Sequence, residues 1–298
     1  MPIYKTYTCQ TCHKSFSCNV DAKYCVYCGA TLPVQLPREK DDTIGRHYLL
    51  VMRDYLVENS LINIDTSLET RVRERNAGKR FSLQDHVRGL IYAQLTNQTV
   101  WSRILPHLNE IDRLFYHYDI GQIQDTPWEQ LAAGLFRLKC GNISTEAQMK
   151  YLSENIRTLQ RIDADYGHID SFVTSAPAYK IVKMLSESSS SYKLKMVGPA
   201  LAWEYLRNVG VDGAKPDTHT RRFLGQARMG SDAHLIATPE EVYNQVERLS
   251  IETGLSRTAI DNIIWSYCAN GFGAICTSSP KCQMCKIREF CHYLTPTI

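Results

Sequence analysis

The chain has 298 residues, 44% hydrophobic and 22% charged, an ordinary balance for a globular protein of one large or two modest domains. Its formal net charge of only +3 excludes a globally basic chain, so any nucleic-acid surface must be a local concentration of Lys and Arg. No stretch approaches a transmembrane span and the start, Met1-Pro2-Ile3-Tyr4-Lys5, has no signal-like apolar run, which predicts a cytoplasmic protein with no membrane contact.

In that compartment thiols stay reduced, and the 11 cysteines read as metal ligands. Cys9-x2-Cys12 and Cys25-x2-Cys28 form two knuckles, each able to place two thiolates on one side of a tetrahedral zinc. Cys18 and His13 lie between the pairs, but the four-cysteine set is complete without them. A segment of about 30 residues buries too little apolar surface to fold alone, so zinc would supply its folding energy. The expectation is a zinc ribbon over residues 1–32, open to contact with DNA or with a protein partner. Two prolines among charges mark residues 33–44 as a linker.

From residue 45 onward the pattern is helical, with no convincing alternating strand. Tyr48, Leu49, Met52, Tyr55 and Leu56 share one face. Ser82, with Asp85 three residues on, predicts an N-cap, and Leu83, Val87, Leu90, Ile91 and Leu95 form the stripe of the helix that follows. Thr126-Pro127 opens another helix with Leu131 and Leu135 inward. Thr238-Pro239-Glu240-Glu241 and Ser256 open two more, the last carrying Ile260, Ile263, Ile264 and Tyr267. Ser186 to Ser191 holds five serines in six residues and reads as a solvated connector.

After Gly271-Phe272-Gly273 come Cys276-x5-Cys282-x2-Cys285-x5-Cys291, four thiols close enough together to wrap one cubane cluster. Spacing alone equally allows a second zinc. Lys281, Lys286 and Arg288 crowd the same loop, either to meet phosphates or to balance a negative centre.

The segment Tyr192-Lys193-Leu194-Lys195-Met196-Val197-Gly198-Pro199-Ala200-Leu201-Ala202, then Lys215-Pro216-Asp217-Thr218-His219, resembles the helix-hairpin-helix DNA glycosylases, specifically the iron–sulfur branch typified by endonuclease III. The resemblance covers residues 45–298 and implies an all-α fold of two helical subdomains, with the hairpin in 192–210, the catalytic aspartate region in 215–224 and a cluster loop in 276–291. It implies a [4Fe–4S] cluster on Cys276, Cys282, Cys285 and Cys291, and double-stranded DNA as the partner of a monomeric enzyme. Val197, Gly198, Ala200 and His219 fall where the family meets DNA. Leu90-Ile91-Tyr92-Ala93-Gln94-Leu95-Thr96-Asn97 is similar to the segment whose glutamine enters the duplex, which puts Gln94 there and Tyr92 beside the base pocket. Gly141-Asn142-Ile143-Ser144 matches the family's turn before its next helix.

Three departures bear on the chemistry. Met196 stands where the hairpin normally has its first glycine, Pro199 removes an amide donor, and the first cysteine interval is five residues where six are usual. The lysine of the bifunctional branch is replaced by Ala200, which cannot form a Schiff base. Asp217 lies nineteen residues after Gly198. Spacing alone reads it as a helix cap; the resemblance makes it the carboxylate that stabilises the sugar cation and orients water, and both roles are compatible. The reading is a monofunctional hydrolase of N-glycosidic bonds that flips a damaged, mismatched or modified base out of DNA. A non-catalytic DNA-binding protein of the same fold, and a glycosylase with lyase activity from another lysine, remain the alternatives.

Overall fold

The structure is a computed structural model that describes residues 5–8, 15–18, 43–62, 67–97, 99 and 101–294. Cys9, Cys12, Cys25 and Cys28 lie outside the described residues, as does most of the expected linker. The chain divides into two compact units, Met1–Ile44 and Gly45–Ile298. In the first, β1 (Lys5–Thr8) pairs antiparallel with β2 (Ser15–Cys18), Lys5 opposite Cys18 and Thr8 opposite Ser15.

The described residues of the second unit are helical without a strand. In order they are α1 (Thr43–Glu58, entering from the first unit), α2 (Ser67–Asn76), α3 (Leu83–Leu95), α4 (Trp101–Ile104), α5 (Leu108–Leu114), α6 (Ile120–Asp125), α7 (Trp128–Arg137), α8 (Thr145–Lys150), α9 (Leu152–Asp165), α10 (Ile169–Val173), α11 (Ala178–Ser186), α12 (Pro199–Asn208), α13 (Thr218–Phe223), α14 (Pro239–Thr253) and α15 (Arg257–Cys268). No helix among the described residues is long and apolar enough to cross a membrane.

Local chemistry starts these helices where the residues announce them. Ser82 caps α3 by accepting from the Asp85 amide, and the Asp85 carboxylate answers on the Ser82 amide. Thr238 and Glu241 form the same reciprocal pair on α14, and Ser256 caps α15. Before α8, Asn142 accepts from the Ser144 amide and Thr145 from the Asn142 amide, which closes the turn expected at Gly141–Ser144.

Packing then sorts the helices into two cores. One gathers α3 to α12 around Leu90, Phe115, Ile156, Phe172 and Tyr205. The other gathers α1, α13, α14 and α15 around Met52, Leu56, Phe223, Ile264 and Tyr267. The chain therefore leaves the second core after α1, builds the first, and returns after α12.

Helix α2 packs on both α12 and α15, and a polar knot ties it down. Arg75 donates twice to Asp170 (2.6 and 3.0 Å) and to the Val209 carbonyl beyond α12. His86 lies between Asp170 (3.3 Å) and the Tyr205 hydroxyl (2.5 Å). Burial holds His86 below its ordinary value, so it is neutral, with Nε2–H donated to Asp170 and Nδ1 accepting from Tyr205. At Gly210 (φ +75°) a Cβ would fall 2.4 Å from the Arg71 carbonyl, so only glycine lets α2 approach so closely.

Burial alone would raise Asp170, but the hydrogen bonds from His86 and Arg75 and the charge of Arg75 outweigh it and hold the carboxyl at about 2. A depressed acid stabilises the fold above its unfolded value of 3.8 and loses that contribution as pH falls through about 2. Asp170→Asn should therefore cost about 3–5 kcal/mol at neutral pH, read from the urea midpoint, by leaving Arg75 buried without its carboxylate. The variant should also lose part of the wild-type decline in stability between pH 4 and 2, and an unchanged acid profile would place that titration elsewhere.

Candidate active site

The hairpin joins α11 to α12. The Leu194 amide donates to the Leu185 carbonyl (3.0 Å), and buried Asn155 of α9 clamps Lys195 from both sides, its Oδ1 on the amide (2.6 Å) and its Nδ2 on the carbonyl (3.0 Å). Lys193 bends back onto the Leu194 (2.8 Å) and Val197 carbonyls. Burial, then the charge of Lys195, pulls Lys193 below its ordinary value.

Met196 takes φ +58°, the left-handed conformation natural to glycine, while its side chain is 43% exposed. Met196 thus holds, at the expense of local strain, a turn that glycine would adopt freely. Gly198 at the N-cap of α12 is extended (φ −89°, ψ 178°) and brings no side-chain cap. Pro199 has no amide to satisfy, and Gly198, Pro199 and Ala200 are all exposed. The start of α12 is consequently an open, uncapped helix end.

Asp217 follows a tight turn in which its amide donates to the Lys215 carbonyl (2.8 Å) across Pro216. It caps α13: Oδ1 accepts from the amides of His219 (2.8 Å) and Thr220 (3.0 Å), with the Thr220 hydroxyl at 3.4 Å. All of these hydrogen bonds fall on one oxygen. Oδ2 remains clear of them, so one atom anchors the carboxylate and the other is available to chemistry.

Behind Asp217 lies a buried ionic cluster that sequence reading missed. Arg207 of α12 meets Asp261 of α15 at 2.7 Å and Glu204 at 3.7 Å, Lys215 lies 3.7 Å from the same Glu204 oxygen, and the Thr220 hydroxyl lies 3.1 Å from Asp261. Burial pushes Asp261 up to about 6, against the pull of Arg207 and with a push from Asp217. Burial would also raise Glu204, but the charges of Arg207 and Lys215 prevail and lower it. The available signal was Glu204 inside, and Arg207 directly after, the otherwise apolar Ala202–Leu206, and Asp261 inside the α15 stripe. A charge in an apolar helix face is affordable only with a partner.

Four residues of the expected set are wholly or partly enclosed by packing. Gln94 is 1% exposed, and neither amide atom has a hydrogen-bond partner among the described residues. Every residue from Gly89 to Leu95 is buried, so the glutamine lies in the half of α3 that is enclosed all round. Tyr92 is a core aromatic, its hydroxyl on Asp112 (2.7 Å) and its ring under Arg88. Val197 buries its side chain and spends its amide on Leu194. His219 accepts from Arg222 at Nδ1 (3.1 Å) and is lowered by burial, which makes it a neutral ring against Trp265 and no cation for a phosphate. Gly198, Ala200 and Asp217 stay accessible.

In the cysteine loop, Arg228 donates to the Cys276 sulfur (2.8 Å) and to the Thr277 carbonyl (2.9 Å), and the Tyr267 hydroxyl lies 3.5 Å from the Cys285 sulfur. A hydrogen bond from buried Cys268, then the charge of Arg228, brings Cys276 down to about 6 against burial. Among the described residues no three His, Cys, Asp or Glu side chains converge as an ion site. The loop thus carries four thiols, with hydrogen-bond donors aimed at the sulfurs of Cys276 and Cys285.

No protein-family model and no curated protein matches the chain. Among solved structures it is similar to an 8-oxoguanine glycosylase/lyase of Methanocaldococcus jannaschii in complex with a 15mer DNA containing 8-oxoguanine, at 20% identity and TM-score 0.48 over 75% of this chain and 98% of that one. It is similar also to an 8-oxoguanine DNA glycosylase from the same organism, at 21% identity and TM-score 0.49 over 76% and 97%. At that degree of likeness, function rests on this chain's own residues.

Left-handed φ costs a side-chain-bearing residue about 1–2 kcal/mol, and the exposed Met196 side chain returns little packing. Met196→Gly should raise unfolding stability by about 1 kcal/mol in urea. A lowered midpoint would show that contacts of the methionine hold the hairpin shut.

Proposed function

We propose that this chain is a monofunctional DNA glycosylase that hydrolyses the bond between a flipped, damaged, mismatched or modified base and its sugar. The observation that carries the reading is Asp217: one oxygen held by two backbone amides, the other clear of them, just downstream of an open hairpin. Departure of the base leaves positive charge on the sugar ring, and a carboxylate held still is suited to stabilise it and to orient the attacking water. Thr220, Asp261 and Arg207 brace the loop that carries Asp217. The uncapped start of α12, at Gly198 and Ala200, offers backbone amides to a phosphate of the duplex.

Ala200 offers no amine to capture the sugar, which favours hydrolysis over lyase chemistry. Lys215 is the nearest alternative amine in sequence to Asp217, and its ammonium is engaged with Glu204. The retained Asp217, with one carboxylate oxygen clear of the cap, weighs against a fold retained only for binding. Cys276, Cys282, Cys285 and Cys291 would hold a [4Fe–4S] cluster whose role here is to fold the C-terminal loop, and Cys9, Cys12, Cys25 and Cys28 a structural zinc.

Asp217→Asn should abolish base release, scored as alkali-labile sites in a modified duplex, while duplex affinity stays within about threefold. It keeps an oxygen for the cap, so stability should change by less than about 1 kcal/mol. Wild-type release by the variant would reduce Asp217 to a cap and end the proposal. Strand cleavage without alkali, with a borohydride-trapped adduct on the unmodified protein, would replace hydrolysis with lyase chemistry.

A further inference from the structure

Away from Asp217, α2, the connection after it and the first two turns of α3 line a groove of about 450 Å³, with Arg71, Lys79 and Arg88 as its cations, Phe81 as its apolar part and Glu74 and Asp85 as its acids. The acids are already engaged. Glu74 takes the Lys79 ammonium at 2.9 Å, and Asp85 takes the Ser82 amide and hydroxyl at 3.0 and 2.8 Å. Neither guanidinium's hydrogen bonds go to a carboxylate. Arg71 donates to the Asn208 carbonyl, and Arg88 reaches the Tyr92 hydroxyl at 3.4 Å.

Arg88 is held on an aromatic shelf, 5.0 Å above the Tyr92 ring and 5.8 Å from that of Tyr118, and both hydroxyls of the shelf donate to Asp112. The shelf is itself built at a cost: Tyr116, His117 and Tyr118 all have positive φ, at 51°, 50° and 67°. The Arg88 Nε is buried with no partner. Burial, then the charge of Arg88, draws Arg71 below its ordinary value, as expected of two like charges kept near each other. The three cations and two acids of the groove leave a net charge of +1, with Lys79 shared by Glu74, and two rigid guanidinium forks beside that ammonium match the oxygens of a single phosphate.

We infer that this groove is a second anchoring point for DNA, in which Arg71, Lys79 and Arg88 receive one backbone phosphate of the bound duplex. The inference rests on the glycosylase reading for its partner, while its residues are separate from the hairpin and from Asp217. Phosphate contacts of this kind set register and orientation and carry no sequence preference.

The test is the salt dependence of affinity for an unmodified duplex, measured by fluorescence anisotropy on the full chain. Each phosphate neutralised contributes about 0.9 to the slope of log K against log salt. The double variant Lys79→Gln/Arg88→Gln should bind several-fold more weakly near physiological salt, with a slope shallower by about 0.9. Arg71→Gln should act alike, but it also breaks the bond to Asn208, so its thermal midpoint is measured alongside and the double variant decides. An unchanged slope in a folded double variant overturns the inference. So does a groove that takes free phosphate alone, seen as a thermal midpoint raised by inorganic phosphate in the wild type, abolished in the double variant, with DNA slopes identical. If the unaltered protein binds no duplex at all, the glycosylase reading fails first and takes this ligand with it.

Discussion

The ion pair between Arg207 and Asp261 is the joint on which this molecule turns. Arg207 stands on α12, whose apolar residues complete the first core, and Asp261 on α15, whose apolar residues fill the second. At 2.7 Å, with both side chains almost wholly buried, the pair cannot be parted without stranding a charge inside the protein. It therefore fixes how the helix that begins at the hairpin meets the helices that carry Asp217. Thr220 extends the joint by touching Asp261 on one side and Asp217 on the other.

This arrangement explains how a carboxylate on a loop is held rigid. Asp217 belongs to no helix interior, yet α13 holds one of its oxygens through two backbone amides. The Pro216 turn limits its approach from the other direction. At the far end of the same assembly, the Asn155 clamp and the left-handed Met196 hold the hairpin, leaving Gly198 and Ala200 open. Strain at Met196 and buried charge at Arg207 are two stability costs incurred near the proposed chemistry, where such costs concentrate.

Much of this was legible in the residues because it is local. The caps at Ser82, Asp217, Thr238 and Ser256 lie where short-range chemistry puts them, and the helical stripes at Tyr48 to Leu56 and Ile260 to Tyr267 face inward as their spacing requires. What stayed hidden is tertiary. Gln94 is placed at the duplex by its position in the motif, but the half of α3 from Gly89 to Leu95 is buried all round, so periodicity there carries no information on which face is out. Tyr92 and Val197 were drawn to the site by motif position, and packing assigns both to the core. The Arg207, Glu204, Lys215 and Asp261 cluster joins segments far apart in the chain, which no window of sequence reveals. The aromatic shelf under Arg88 belongs to the same class, since Asp112 and Tyr118 reach it from a separate turn.

The central claim is that Asp217 releases a base by hydrolysis. It is tested most directly by incubating the protein with duplexes that each carry one modified or mismatched base and identifying free bases by mass spectrometry. The account predicts one class of base set free, with the strand left intact at an abasic sugar whose C1′ oxygen is labelled when the reaction runs in heavy-oxygen water. A panel spanning uracil, mismatched thymine, oxidised and alkylated bases that yields no free base, while the duplexes are bound, would contradict it and leave a binding protein in its place.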